Sequence, residues 1–273
     1  LALLNPNERR TELLATVGSW DPNASVVLYR PDSRTGVIAS TRDGREFELR
    51  LATFDAAVKL QSAAVIARRV VRIAIHPDGD RICMVRREGR HGRIVEEYGL
   101  DGSNRAGTVL FASQQELAGL SYGAGGDAIV FQEETESGLE TNIFYGGEGR
   151  RRLTLGDGRL SQNALNASGD RLIVIEGEED TRGLLYDAVT GTQVTNLGGM
   201  VDAGWTHHDS VAYLAPDESG ALQIWRLPAN MQARAEQRSF VTGGVQAMLR
   251  IHPENGSILA VSADSASVLI SGP

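Results

Sequence analysis

The sequence predicts an all-β fold: a six-bladed β-propeller of four-stranded antiparallel blades, formed by residues 1–273 as one domain, with the ring closed by strands from both termini. Three observations support this prediction. A short strand–turn–strand element recurs along the chain, its copies are spaced by about one blade, and each copy continues into two further strand patterns separated by turn residues.

The recurring element is clearest at residues 75–85, which read IHPDGDRICMV, and weaker copies read YRPDSRTGVIA and IHPENGSILAV. A period of about 44 residues is typical of a propeller blade and not of a helical pair. A blade cannot bury both of its faces alone, so blades stack, and each needs the same reversal between its first two strands. The six copies, aligned just after the turn, have their anchors at Arg34, Asp80, Asp127, Asp170, Asp209 and Gly256.

After its second strand, each copy continues with a polar loop, a third strand, a Gly- or Asp-containing turn and a fourth strand. The stretch that comes nearest to a helical pattern is 53–70, which we interpret as a turn, a fourth strand and a connection, with a helix as the alternative. The last copy ends after about three strands. We therefore expect the first 24 residues to supply the outer strand or strands that complete the last blade.

The composition of the chain excludes some classes of function but does not identify one. The chain has 41% hydrophobic residues, 23% charged residues and a formal net charge of −8, which argue for a large core and against nucleic-acid binding. Cys83 is the single cysteine, so an internal disulfide is excluded, and we expect it to be a small buried residue. The sequence shows no signal peptide and no run of 18 apolar residues, so we expect no direct membrane insertion.

The origin of the chain is also indicated by composition. Lys59 is the only lysine, and arginine, alanine and glycine are abundant, which suggests a bacterial genome rich in G and C. The chain does not begin with Met, and we interpret it as a processed chain or a piece of a longer one. The compartment stays open between the bacterial cytoplasm and the periplasm.

The candidates for catalytic chemistry are weak. The stretch GLSYG places Ser121 in a nucleophile-elbow pattern, but a first strand followed by another strand is the wrong context for that motif. His207, His208 and Asp209 form the only histidine cluster, and neighbouring residues of a strand point to opposite faces. His76 and His252 recur at equivalent positions, which favours a structural hydrogen bond to the turn. We therefore predict no catalytic residues, no metal and no cofactor.

Charge placement is the most suggestive functional feature. In a propeller, the loops between second and third strands share one face with the connections between blades. Acidic residues fill these loops in blades three to five and basic residues fill them in blades one and two, which predicts a polarised docking face for a protein partner. Ordinary solvated loops and a divalent-cation site in the acidic arc are the alternatives. The acidic residues are Glu133, Glu134, Glu136, Glu176, Glu178, Glu179, Asp180, Asp217 and Glu218, and the basic residues are Arg42, Arg45, Arg86, Arg87, Arg90 and Arg93.

Two short motifs resemble known propeller families. HPDGDRICMV and ASGDRLIVI resemble the S-P-D-G-x-x-I-A-F element of TolB-like propellers, and SGALQIWRLP resembles the D-G-x-x-x-I-W-D-L strand of WD-repeat propellers. The chain departs from the WD pattern at Arg226, which replaces the aspartate, and it has no Gly-His dipeptide at the blade starts.

This resemblance implies protein–protein binding. Because the sequence also lacks a catalytic constellation and an initiator Met, we expect a non-catalytic scaffold for protein–protein interaction, a subunit or domain of a larger bacterial assembly whose partners are other proteins. It carries over no functional residues. Two alternatives stay open: a periplasmic TolB-like envelope protein, which an export signal in the full gene would identify, and a propeller hydrolase or lactonase with a metal in its channel, which bound metal would favour.

Overall fold

The computed structural model describes the backbone of residues 2–5, 10–13, 24–30, 35–41, 46–56, 60–100, 107–146, 149–177, 181–206, 208–228, 234–240, 243–251, 258–262 and 268–271. Within them the chain is all β, as predicted, with 24 strands and no helix. Accordingly, this part of the protein holds no helix with the length and apolar character needed to span a membrane. The chain divides into two compact units, 1–114 and 115–273, which are described separately.

The first unit contains nine strands in two antiparallel sheets. One sheet pairs β1 with β2, and the other orders β3 to β9 sequentially. The strands are β1 (Ala2–Asn5), β2 (Arg10–Leu13), β3 (Ala24–Arg30), β4 (Thr35–Thr41), β5 (Phe47–Phe54), β6 (Leu60–Ile75), β7 (Arg81–Glu88), β8 (Gly92–Gly99) and β9 (Thr108–Ser113).

Strand β6 shows how two repeats of the first unit are joined. Its first part, from Leu60 to Val70, pairs with β5, and its last part, from Val70 to Ile75, pairs with β7. Arg69 has a φ of 59° at this changeover. The predicted fourth strand within 53–70 is confirmed, but it runs on without a break into the first strand of the next repeat. This unit's core is the apolar cluster around Leu49, Ile82 and Met84.

The second unit contains fifteen strands. Its sheets follow the order β10–β13, then β17-β16-β15-β14-β18-β19-β20-β21, then β22–β24, and a single parallel bridge between Gln162 and Gly204 joins β14 to β18. The strands are β10 (Leu117–Tyr122), β11 (Ala128–Thr135), β12 (Gly138–Tyr145), β13 (Gly149–Thr154), β14 (Arg159–Leu165), β15 (Arg171–Glu176), β16 (Arg182–Asp187), β17 (Gln193–Gly199), β18 (Asp202–Trp205), β19 (Val211–Pro216), β20 (Leu222–Leu227), β21 (Glu236–Gln237), β22 (Val245–Ile251), β23 (Ile258–Ser262) and β24 (Val268–Ser271).

The recurring sequence element forms the same turn in four repeats. At His76 the amide of Gly79 donates to the carbonyl of His76 at 2.8 Å, and the His76 amide donates to Arg81 at 2.9 Å. Corresponding bonds form at Gly123, Asn166 and Thr206. The fourth residue of each turn is left-handed, a conformation that glycine adopts most readily and that aspartate tolerates. These residues are Gly79, Gly126, Gly169 and Asp209, with φ between 53° and 82°.

Neighbouring repeats of the second unit are held together by apolar packing and by hydrogen bonds between their first strands. The hydroxyl of Ser121 accepts the amide of Ala164 at 3.1 Å, and Asn163 donates to the carbonyl of Trp205 at 3.3 Å. Trp205 is 1% exposed within a cluster that also contains Ile173 and Leu185, so it is a core residue.

Candidate functional site

Loops between second and third strands meet the connections between repeats at the same end of the sheets in both units. In the second unit, a methyl group on Gly138 would lie only 2.8 Å from Oδ1 of Asp157, which belongs to the connection after β13. In the first unit, Arg69 at the changeover in β6 donates to the carbonyl of Gly89 in the β7–β8 loop at 3.0 Å. The local geometry that underlies the predicted face is therefore present in each unit.

Part of the predicted acidic arc is exposed and part is engaged in structural contacts. Glu134, Glu136 and Glu218 are exposed. Glu133 is buried and lies 4.0 Å from the guanidinium of Arg152. A buried carboxylate of this kind belongs to the packing of its blade more than to a docking surface.

Glu176 and Asp217 also have local roles. Nε of Arg182 donates to Oε2 of Glu176 at 2.8 Å. Oδ1 of Asp217 accepts the Ser219 hydroxyl at 2.6 Å and the Ala221 amide at 3.1 Å, so it shapes its own turn. Its bond with the Ser219 side chain lowers the pKa of Asp217, with further contributions from backbone amides. The predicted members Glu178, Glu179 and Asp180 lie outside the described residues.

Asp157 is an exposed acid at this end of the sheets that the sequence analysis missed. It lies in the connection between two repeats, whereas the docking face was predicted from the loops between second and third strands. The signal that could have identified it is the Gly-Asp-Gly sequence directly after β13, where a connection to the next repeat is expected.

The predicted basic arc is largely occupied by contacts within its own unit. Arg86 pairs with Glu96 at 2.7 Å, and Arg87 pairs with Glu46 at 3.0 Å. Arg93 is buried, with 3% exposure, and Arg90 is exposed in the β7–β8 loop. Arg42 and Arg45 lie outside the described residues.

Ser121 is placed as a structural residue. Its side chain is buried, and the hydroxyl donates to the carbonyl of Tyr122 at 2.8 Å while accepting the amide of Ala164. Cys83 is fully buried, and burial raises the pKa of its thiol well above the usual range, so the reactive thiolate is disfavoured.

His76 makes the structural contact with its turn that the repeat predicted. Its side chain is 3% exposed and lies between two residues of the turn, with Nε2 2.6 Å from Nη2 of Arg81 and Nδ1 3.0 Å from Oδ1 of Asp80. Nδ1 accepts the backbone amide of Asp78 at 3.2 Å, which is the hydrogen bond between this histidine and its turn. Burial first, and then the charge of Arg81, lower the pKa of His76. His252, the equivalent residue, lies outside the described residues.

In the described part of the chain, three side chains of the types that bind metal ions lie close together. They are His76, Asp78 and Asp80. Their ligand atoms lie within 4.8 Å of one another. The guanidinium of Arg81 occupies Nε2 of the histidine and would repel a cation, so these residues fit a hydrogen-bonded turn better than a metal site. In the predicted histidine cluster, His207 lies outside the described residues, and Oδ1 of Asp209 accepts the amide of Ala167 at 3.2 Å.

Comparison with known proteins relates the chain to others through its fold. No protein-family model matches the sequence, and no curated protein matches it. Among solved structures it is similar to TolB from Acinetobacter baumannii, at 15% identity and a TM-score of 0.50 over 79% of this chain and 54% of that one. It is also similar to a putative TolB from Agrobacterium tumefaciens, at 12% identity and a TM-score of 0.53 over 77% and 79% of the two chains.

Enzymes share the same architecture. An oligogalacturonate lyase from Vibrio parahaemolyticus is similar at 10% identity and a TM-score of 0.61, over 98% of this chain and 81% of the lyase. The chain spans about half the length of the Acinetobacter TolB. Identities this low relate folds and not activities. The resemblance to TolB is therefore confirmed at the level of the fold: the chain has the architecture of the TolB-like β-propellers.

Proposed function

We propose that the chain is a non-catalytic scaffold for protein–protein interaction, a subunit or domain of a larger bacterial assembly. The observation that carries this proposal is a group of exposed carboxylates at one end of the sheets of the second unit, which we name the acidic loop face. It comprises Glu134, Glu136, Asp157 and Glu218. Carboxylates clustered on loops accelerate encounter with a basic partner and set its orientation.

The structural contacts of Ser121 and His76, two side chains of types that can act in catalysis, support a scaffold role. The Ser121 hydroxyl bridges two repeats, and the imidazole of His76 lies between Arg81 and Asp80. A serine nucleophile needs an adjacent base, and a general base needs access to a substrate proton. Both groups instead stabilise the architecture on which the loops are presented.

The first prediction concerns the acidic loop face. The double variant Glu134→Lys/Glu136→Lys, used as bait in a pull-down from the source bacterium, should lose a stoichiometric partner that the unaltered chain retains. The matched control is Asp127→Lys/Glu236→Lys, which changes charge equally at the opposite ends of strands in the same unit. Quantified by mass spectrometry, partner recovery should fall at least tenfold for the first variant and stay within twofold for the control.

Other outcomes of this experiment are decisive. Equal loss in both double variants would show that net charge, and not this face, controls recovery. Equal retention in both would contradict the acidic loop face as the docking surface. A chain that retains no partner at all would contradict the scaffold proposal and direct attention to an enzyme.

We also propose that the repeats close into a single six-bladed ring, in which strands from the two termini complete one blade. This proposal rests on the repeat spacing, on the four-stranded sets from β3 to β21, and on the three-stranded set β22–β24, which is one strand short of a blade.

The second prediction tests closure. Neighbouring strands of a sheet lie about 4.8 Å apart, so strands β1 and β24 in one blade should lie within about 15 Å of each other. Fluorescent labels on cysteines introduced at residues 4 and 269, in a Cys83→Ser background, should show energy transfer near its maximum. Transfer that corresponds to a separation of several tens of ångströms would contradict ring closure.

A further inference from the structure

Three arginines lie side by side across strands β6, β7 and β8 of the first unit. Arg87 and Arg93 are direct cross-strand partners. Arg69 precedes Val70, which pairs with Arg86, so the antiparallel register places Arg69 beside Arg87. We name Arg69, Arg87 and Arg93 the arginine row. It lies at the end of the strands where the β7–β8 loop meets the changeover in β6.

The arginine row is an unfavourable arrangement for the folded chain by itself. Like charges directly opposite each other in an antiparallel pair are destabilising. Arg93 is also only 3% exposed. Its burial, followed by the charges of Arg87 and Arg69, lowers the pKa of its guanidinium. The fold therefore concentrates positive charge where both desolvation and repulsion oppose it.

Glu46 offsets part of this charge but is shared between two arginines. Its Oε1 lies 3.0 Å from Nη1 of Arg87, and its Oε2 lies 3.7 Å from Nε of Arg69. The Nε of Arg87 is buried and has no hydrogen-bond partner. A buried donor without a partner costs about 1–3 kcal/mol, so Arg87 has unused capacity for an acceptor.

The row is both held in place and accessible. Arg69 donates to the carbonyl of Gly89 in the β7–β8 loop at 3.0 Å, and Arg93 donates to the carbonyl of Gly92, the first residue of β8, at 3.0 Å, so the two outer members are held by the backbone. The side chains of Arg69 and Arg87 are 47% and 38% exposed. A small ligand can therefore reach two guanidiniums, while the buried third contributes its field.

We propose that the arginine row is an oxyanion site, which takes a phosphate or carboxylate group against the exposed guanidiniums of Arg69 and Arg87, beside the Glu46 carboxylate that bridges them. The guanidinium fork matches the two oxygens of such a group, and the single carboxylate of Glu46 neutralises only part of the charge of the two guanidiniums that share it. A rotation of the Arg87 side chain brings its unused Nε to the ligand. The ligand's source is either free phosphate or the carboxylates of an acidic protein segment, and the site is independent of the acidic loop face.

The third prediction tests this site with two probes, inorganic phosphate and a short glutamate-rich peptide, by calorimetric titration at constant ionic strength. The unaltered chain should bind at least one probe saturably. Arg87→Gln and Arg69→Gln should each weaken that binding at least tenfold. The matched control is Arg50→Gln, an exposed arginine that pairs with Glu48 at 2.7 Å outside the row and should bind as the unaltered chain does.

The probe that binds identifies the source of the oxyanion. Phosphate binding alone identifies free phosphate as the source, and peptide binding alone identifies a protein carboxylate. No saturable binding of either probe, or equal loss in Arg50→Gln, would overturn the site. Far-UV circular dichroism of every variant checks that the fold is retained. Because neither probe contacts the acidic loop face, failure here leaves the scaffold proposal unaffected.

Discussion

Replacing Trp205 with alanine should lower the free energy of unfolding by about 3–5 kcal/mol, the largest effect of a single substitution that we expect. Trp205 is 1% exposed and belongs to an apolar cluster that includes Ile173 and Ile175 of one repeat and Val211 of the next. The neighbouring repeats contact this cluster from both sides, so they cannot collapse fully into the space that an indole leaves. The cavity term therefore adds to the lost burial.

A comparison of two tryptophan-to-phenylalanine variants separates packing from hydrogen bonding. The indole nitrogen of Trp205 is buried without a hydrogen-bond partner, so Trp205→Phe removes an unsatisfied donor along with some volume. We expect it to cost much less than Trp205→Ala. Trp225 is the matched control: it is half-buried, and its indole nitrogen donates to the carbonyl of Ala215 at 3.1 Å, so Trp225→Phe should cost about 1 kcal/mol through that bond.

Urea unfolding monitored by far-UV circular dichroism measures these differences. A loss below about 1 kcal/mol for Trp205→Ala would mean that the cluster between the repeats is not packed as described. If Trp205→Ala does not fold, Trp205→Phe is still measurable, and a large loss for this conservative variant would contradict the absence of a hydrogen-bond partner for the indole nitrogen.

The sequence predicted what depends on local pattern and missed what depends on register. The left-handed turn positions at Gly79, Gly126 and Gly169 were visible because glycine recurs in the turn for a local conformational reason. The strand within 53–70 was likewise predicted, although this stretch comes nearest to a helical pattern. The continuity of this strand into the next repeat was not predicted, because no local sequence pattern distinguishes one long kinked strand from two short strands.

Side-chain burial near the loops was the part that the sequence could not supply. Arg93 and Glu133 both lie close to polar loops and were assigned to the docking face, yet both are buried. Whether such a residue faces solvent depends on which strand lies beside it and on which residue lies opposite. The pairing of Arg87 with Arg93 follows from the register of β7 and β8, which only the structure provides.

The last prediction concerns pH and His76. Burial and Arg81 lower the pKa of this histidine in the folded chain, whereas the unfolded chain protonates it near the ordinary histidine value of about 6.5. As the pH falls through that value, the unfolded state binds a proton that the folded state does not. The stability that neutral His76 supports is therefore complete above about pH 7 and is lost on acidification, at a slope of at most about 1.4 kcal/mol per pH unit.

The equivalent position in another repeat supplies the design of the test. There Oδ1 of Asn166 accepts the amides of Asp170 and Arg171 at 3.0 and 2.9 Å, and Nδ1 of His76 is likewise an acceptor within its turn, from the amide of Asp78. His76→Asn should therefore fold with nearly the stability of the unaltered chain at pH 7.5 and show a shallower loss between pH 7.5 and 5.5. His76→Ala should lose about 2–3 kcal/mol at pH 7.5, because the Asp78 amide and the Arg81 guanidinium lose a buried partner.

His91→Asn is the matched control, since His91 is exposed in the β7–β8 loop. Its pH dependence should equal that of the unaltered chain in urea unfolding at each pH. If His76→Asn keeps the full pH dependence, the titration of His76 does not govern acid stability in this range. If His91→Asn flattens it equally, the effect belongs to net charge. If only His76→Asn reduces the pH dependence of the free energy of unfolding, then the protonation of His76, in one copy of the recurring turn, controls acid stability in this range.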